Sequence, residues 1–132
     1  MTQSRRIPKP ELPGTATARD GYVEIVLEEA LLCSKAHDEC VAAVKAAAKR
    51  FRAKRLMLVC DNHDNVSSLT DAYAIGTKVA TEGRGLRLCI VLTGRSVKAI
   101  DHFAETVASN RGGALRYFDD REAARRWLLS TR

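Results

Sequence analysis

The chain reads as a single α/β domain with a mostly parallel sheet of four to five strands and four helices packed on it. Three observations carry that expectation. Short apolar, β-branched runs alternate along the chain with stretches of helical periodicity. Two of the runs, Leu56-Met-Leu-Val-Cys60 and Leu86 to Leu92, are apolar almost without a break, as in strands covered on both faces. Ser, Asp and Gly mark the joints, which is the pattern of βαβ units joined by right-handed crossovers.

Residues 1–20 hold all three prolines, at 8, 10 and 13, and no hydrophobic period, so they are expected to form a disordered tail. The domain is expected over 21–132. Tyr22-Val-Glu-Ile-Val-Leu27 is a strand by its β-branched and aromatic content. Ala30 to Cys33 extends it or forms a short second strand. Ser34 suits the N-cap of the helix that follows, where Ala36, Cys40, Val44, Ala47 and Phe51 make one apolar stripe. After Leu56–Cys60 comes a polar loop, Asp61 to Val66. Ser67 or Ser68 then caps a second helix with Leu69, Ala72, Tyr73, Gly76 and Val79 on its inner face. Gly76 there implies a close approach to the sheet. Gly83-Arg-Gly85 ends this helix, and Leu86 to Leu92 is the next strand. Thr93-Gly-Arg-Ser96 leads into a third helix with Ile100, Phe103, Ala104 and Val107 inside. Gly112-Gly113 stops it. Ala114 to Phe118 is a short strand, and Asp119 or Asp120 caps a last helix facing inward with Ala123, Ala124, Trp127 and Leu128.

The 132 residues carry 22 Lys and Arg against 16 Asp and Glu, a formal charge of +6. No apolar run exceeds five residues, which excludes a membrane-spanning helix. Lys45, Lys49, Arg50, Arg52, Lys54 and Arg55 follow one another without an acid between them. That run reads as a solvated helix end complementing the helix dipole. Nucleic-acid binding through Lys45, Lys49, Arg50 and Arg52 is the outlying alternative, disfavoured because the run lacks the series of interleaved stacking aromatics such a platform requires, with Phe51 alone in it. The four cysteines, at 33, 40, 60 and 89, form no CxxC pair, and the Arg5-Arg6 start runs into prolines rather than an apolar leader. Both features fit a reducing, cytoplasmic setting.

Three groups of residues bear on chemistry. Asp61 and His63 follow one central strand, and Thr93, Gly94, Arg95 and Ser96 follow its neighbour. Ligands of open α/β sheets bind outside the carboxyl ends of strands, so these six are the candidate anion or small-ligand pocket. Cys33, His37 and Cys40 share one helical face only if the helix starts early, and they offer three ligands with no fourth, so no metal is assigned. His63 and His102 lack a nucleophile with a recognisable local signature. No GxSxG, GxxxxGK or GxGxxG string occurs, so neither catalysis nor a cofactor is expected.

Phe103-Ala-Glu-Thr-Val-Ala108, Asn110-Arg-Gly112, Phe118-Asp-Asp120 and Ala124-x-x-Trp127-Leu128 together resemble the SpoIIAA-like family of small bacterial STAS-type domains. Leu86–Val91 and Leu56–Asp61 stand where that family has its central strands. The resemblance spans about residues 21–130 and implies a four- or five-stranded sheet with four helices, a fold shared with lipid-transfer-like domains. It implies a non-enzymatic binding or regulatory module acting through a protein partner. It also places a phospho-switch serine at Ser67 or Ser68, although here Ser68 is followed by Leu69-Thr70-Asp71 where the family has a glycine-containing turn. Ordinary N-capping also accounts for a serine there. A small-molecule carrier or sensor, with an apolar or anionic ligand held between helices and sheet near Asp61, His63, Thr93 and Arg95, is the alternative function. A homodimer is compatible with a domain of this size.

Overall fold

The computed structural model describes residues 15–27, 37–61, 68–93 and 96–130. Nine elements follow in order: β1 Thr15–Ala18, β2 Val23–Leu27, α1 His37–Phe51, β3 Arg55–Asp61, α2 Leu69–Glu82, β4 Arg87–Thr93, α3 Ala99–Asn110, β5 Ala114–Phe118 and α4 Arg121–Leu129. The strands lie side by side in chain order, β1-β2-β3-β4-β5. β1 pairs antiparallel with β2, and every other neighbour is parallel. The expected α/β domain is therefore present, with a five-stranded mixed sheet and four helices.

β1 lies inside the segment expected to be a tail. Its Thr-Ala alternation is a weak strand signal, and pairing with β2 is what makes it a strand: Thr15 lies opposite Val26, and Ala18 opposite Val23. The connecting turn uses Gly21 at φ 94, which L side chains rarely adopt, and is closed by Arg19 N–H donating to Tyr22 C=O. Ala30 to Cys33 and Ser34 lie outside the described residues.

Strand order dictates where the helices go. Three successive right-handed crossovers to the next strand place α1, α2 and α3 on one face. The buried residues divide accordingly. Leu56, Leu58 and Cys60 of β3 and Leu88, Ile90 and Leu92 of β4 join Val44, Ala47, Ala72, Val79, Ala104 and Ala108 of the three helices. Met57 and Val59 of β3 and Cys89 and Val91 of β4 point the other way and meet Ala124 and Leu128 of α4. This is why both central strands read as continuous apolar runs: each side of the pleat is buried. Among the described residues no helix is long and apolar enough to cross a membrane.

Two helix faces differ from expectation. The buried residues of α2 are Ala72, Gly76, Val79 and Ala80, while Leu69 is 64% and Tyr73 47% exposed. In α3, Asp101, Ala104, Val107 and Ala108 are buried and Phe103 is 36% exposed. Gly76 does approach a neighbour closely, but that neighbour is α3 rather than the sheet. A Cβ at Gly76 would stand 2.6 Å from Ala104 C=O and 2.8 Å from Val107 Cβ. Small residues let the two helices sit this near, and that contact rotates the larger side chains outward.

On the far face, Glu24 of β2 is 4% exposed. Its carboxylate accepts from Arg19 Nε at 2.8 Å and from Arg121 of α4 at 2.5 Å, tying the hairpin to the start of α4. Asp120 caps α4, accepting from Ala123 N–H at 3.1 Å.

Candidate functional site

The carboxyl ends of β3 and β4 come together as expected. Asp61 lies opposite Thr93 in the sheet register, so the two loops leave the sheet side by side. Thr93 Oγ1 donates to Cys60 C=O at 3.3 Å, which stitches the ends together. Ser96 is exposed just before α3. His63, Gly94 and Arg95 lie outside the described residues.

Ser68 is the N-cap of α2 and Ser67 is outside the described residues. The Ser68 hydroxyl accepts from Asp71 N–H at 3.1 Å, and the Asp71 carboxylate faces Ser68 N–H at 3.5 Å. This reciprocal box satisfies donors that the first turn of a helix otherwise leaves open. Leu69 and Tyr73 flank it on the exposed side. The Tyr73 hydroxyl accepts from Arg111 at 2.8 Å, and that guanidinium lies 5.1 Å from the ring centre.

The basic run does not act as one patch. Lys45 turns to α2, where its Nζ donates to Glu82 at 2.8 Å. Arg50 packs over the Phe51 ring at 4.8 Å. Arg52, Lys54 and Arg55 instead gather at the opposite end of the strands from Asp61 and Thr93, beside the β1–β2 turn.

Cys60 and Cys89 are buried free thiols, as the apolar runs around them require. Burial pushes the Cys89 thiol up to about 12, outweighing a backbone hydrogen bond and the nearby Arg87 charge. A thiol held this firmly protonated is not a nucleophile at neutral pH. Cys33 lies outside the described residues, and nothing is described of the His37 and Cys40 side chains. Among the described residues no three His, Cys, Asp or Glu side chains gather as a metal site. His102 Nδ1 lies 3.0 Å from Glu105, whose other carboxylate oxygen accepts Tyr117 N–H at 2.7 Å. That arrangement covers a donor of the edge strand β5.

The feature that sequence reasoning missed is an apolar cavity of about 50 Å³ between α1, α2 and the sheet. Val44 of α1, Ile75 and Val79 of α2, and Leu58, Ile90 and Tyr117 of the sheet form most of its walls. Leu86 and Gly83 close it from below, and Lys45 stands at its edge. Each wall residue looks like ordinary core in the sequence. The Lys45–Glu82 pair joins α1 to α2 beside the cavity. Comparison with protein-family models, with curated proteins and with solved structures returned no match for this chain.

Proposed function

We propose that this chain is a non-enzymatic binding module of the SpoIIAA-like, STAS type, and that its ligand is a small apolar molecule held between α1, α2 and the sheet. One observation carries the reading. Protein interiors pack closely and leave few voids larger than a water, yet this domain keeps an apolar cavity of about 50 Å³ beside the gap between two helices. Walls of this kind offer water few partners and favour an apolar group. The buried, protonated Cys89 and the capping role of Ser68 fit a module that binds rather than reacts. The test is an amide NMR titration with benzene, indole and hexanoate as probes. Saturable shifts at Ile75, Val79 and Leu86 are expected from at least one probe, and Val79→Phe, which fills the void, should abolish them. Shifts that survive Val79→Phe, or none with any probe, would reject the reading.

A second reading rests on a different observation. Leu69 and Tyr73 are exposed beside Ser68, where the resemblance places a phospho-switch serine. A Leu69→Ala, Tyr73→Ala variant should lose a co-purifying protein, or the dimer in sedimentation, that the unmodified chain shows. Retention of both would argue that this face is only solvated.

A further inference from the structure

The end of the molecule where the parallel strands begin carries a second concavity, unrelated to the apolar cavity. The β1–β2 turn and the α1–β3 connection stand apart around a hollow of about 440 Å³. Its walls include Arg19, Tyr22, Phe51, Arg52, Lys54 and Arg55. Arg19 is committed to Glu24. Arg52, Lys54 and Arg55 form no ion pair among the described residues. Among the described residues no carboxylate lines the hollow. Three cations around one concavity repel one another, and an arrangement of that kind suits a multiply charged anion better than a single carboxylate.

The backbone adds an independent observation. Helix α1 ends with Ala53 N–H donating to Ala48 C=O at 2.9 Å, the six-to-one closure of a Schellman turn. The residue in the left-handed position of that turn is Arg52, at φ 53, and it is the one described non-glycine residue with positive φ. Glycine is the usual occupant, because a Cβ is disfavoured there. A cation there complements the helix dipole, but the left-handed conformation costs arginine more than glycine, which points to a use for its guanidinium. Arginine offers a planar fork of donors that matches phosphate oxygens. Tyr22 and Phe51, both half-buried, also line the hollow, one packed against the core of each sheet face, with Arg50 over one side of the Phe51 ring. Phe51 belongs to the basic run itself, and the fold adds Tyr22 from the neighbouring hairpin.

We propose that this hollow binds a nucleotide, its phosphate on Arg52, Lys54 and Arg55 and its base against Tyr22 and Phe51. The same chemistry is offered by a free mononucleotide and by a nucleotide within a single strand.

Amide NMR titrations of the full chain with AMP, with adenosine and with a short single-stranded oligoribonucleotide test it. AMP or the oligonucleotide should give saturable shifts at Tyr22 and across 51–55, and adenosine should give none. Binding of AMP identifies a free nucleotide as sufficient. Binding of the oligonucleotide alone, weakening with salt, identifies the strand as the source. Arg52→Gly should weaken binding by roughly tenfold, the scale of one charge-assisted hydrogen bond, while the urea unfolding midpoint does not fall. Lys54→Ala with Arg55→Ala should abolish binding, and Lys49→Ala, outside the hollow, should leave it within about twofold, as expected of a screened surface charge. Adenosine binding as well as AMP, no shift with either phosphate probe, or affinity unchanged in Arg52→Gly would overturn the proposal.

Discussion

The Arg87 guanidinium lies 4.0 Å from the centre of the Trp127 ring. From there it donates to Trp127 C=O and to Ser130 Oγ, both at 2.8 Å. One side chain at the start of β4 thus closes the C-terminal end of α4, the single described helix on that face of the sheet. Phe118 meets the same indole at 6.0 Å between ring centres.

Replacing Arg87 by Lys keeps the charge and loses the planar stack and the forked donation. A loss of about 1–2 kcal/mol is expected from those two contributions. Trp127 is the single tryptophan of the chain, so its emission reports the change directly. Urea unfolding followed by tryptophan fluorescence should show a lower midpoint and a shifted native spectrum. An unchanged native spectrum would show that the stack is not populated.

Gly76 is expected to tolerate no side chain. Alanine would gain about 1 kcal/mol in helix propensity, but its Cβ would meet the Ala104 carbonyl at 2.6 Å. A backbone atom cannot swing aside, and overpacking of this kind costs typically about 1–3 kcal/mol. Gly76→Ala should therefore lower the unfolding midpoint. A higher midpoint would mean that α2 and α3 separate freely.

Cys89 should give the domain an alkaline liability. Its folded pKa, raised by burial to about 12, lies above that of an unfolded thiol, about 8.5. The native state then holds a proton that the unfolded state releases. Stability contributed by the protonated thiol is whole below about pH 8.5 and declines as pH rises toward 12, by at most about 1.4 kcal/mol per pH unit. Tyrosines and lysines titrate over the same range, so the measurement is the difference in slope between the unmodified chain and Cys89→Ala. Equal slopes would show that the thiolate is accommodated without unfolding.

The Lys45–Glu82 bridge should matter more for access to the cavity than for stability. Both side chains are about half exposed, 50% and 48%, and such pairs contribute roughly 0–1 kcal/mol. Lys45→Met keeps the apolar stem that lines the cavity and removes the charge. It should leave the unfolding midpoint and indole affinity nearly unchanged, with faster indole release. Lys45→Ala should weaken indole binding as well. Equal affinity in both variants would exclude the stem from the wall.

Most elements were legible because their signals are local. The run Ala114 to Phe118 is β5 to the residue, and Leu56–Cys60 is β3 short by one residue at each end. Asp120 and Ser68 are caps because a short oxygen-bearing side chain ahead of an apolar period satisfies helix donors. The outward turn of Leu69, Tyr73 and Phe103 was not legible. A helical period shows that an apolar stripe exists, but a stripe wider than the contact does not reveal its centre. The Gly76–Ala104 approach decided that centre. The site candidates divided in the same way. Asp61 and Thr93 were placed together correctly because parallel neighbours end at the same edge of a sheet. Of the basic run, Lys49 and Arg50 lie in the last turn of α1, while charge spacing along a chain does not show which of the other residues find partners.

The sequence by itself determined an α/β chain with central strands buried on both faces and helices with their own start and stop signals. These properties follow from the period of apolar residues and from caps a few residues long, both written in neighbouring positions. Tertiary structure alone decided that Thr15–Ala18 is a strand, that a cavity opens between α1 and α2, and that Tyr22 stands beside Arg52, Lys54 and Arg55. Each of those depends on residues brought together from separate segments. Backbone pairing, close packing and charge proximity act through space, and only the folded register says which side chains they join.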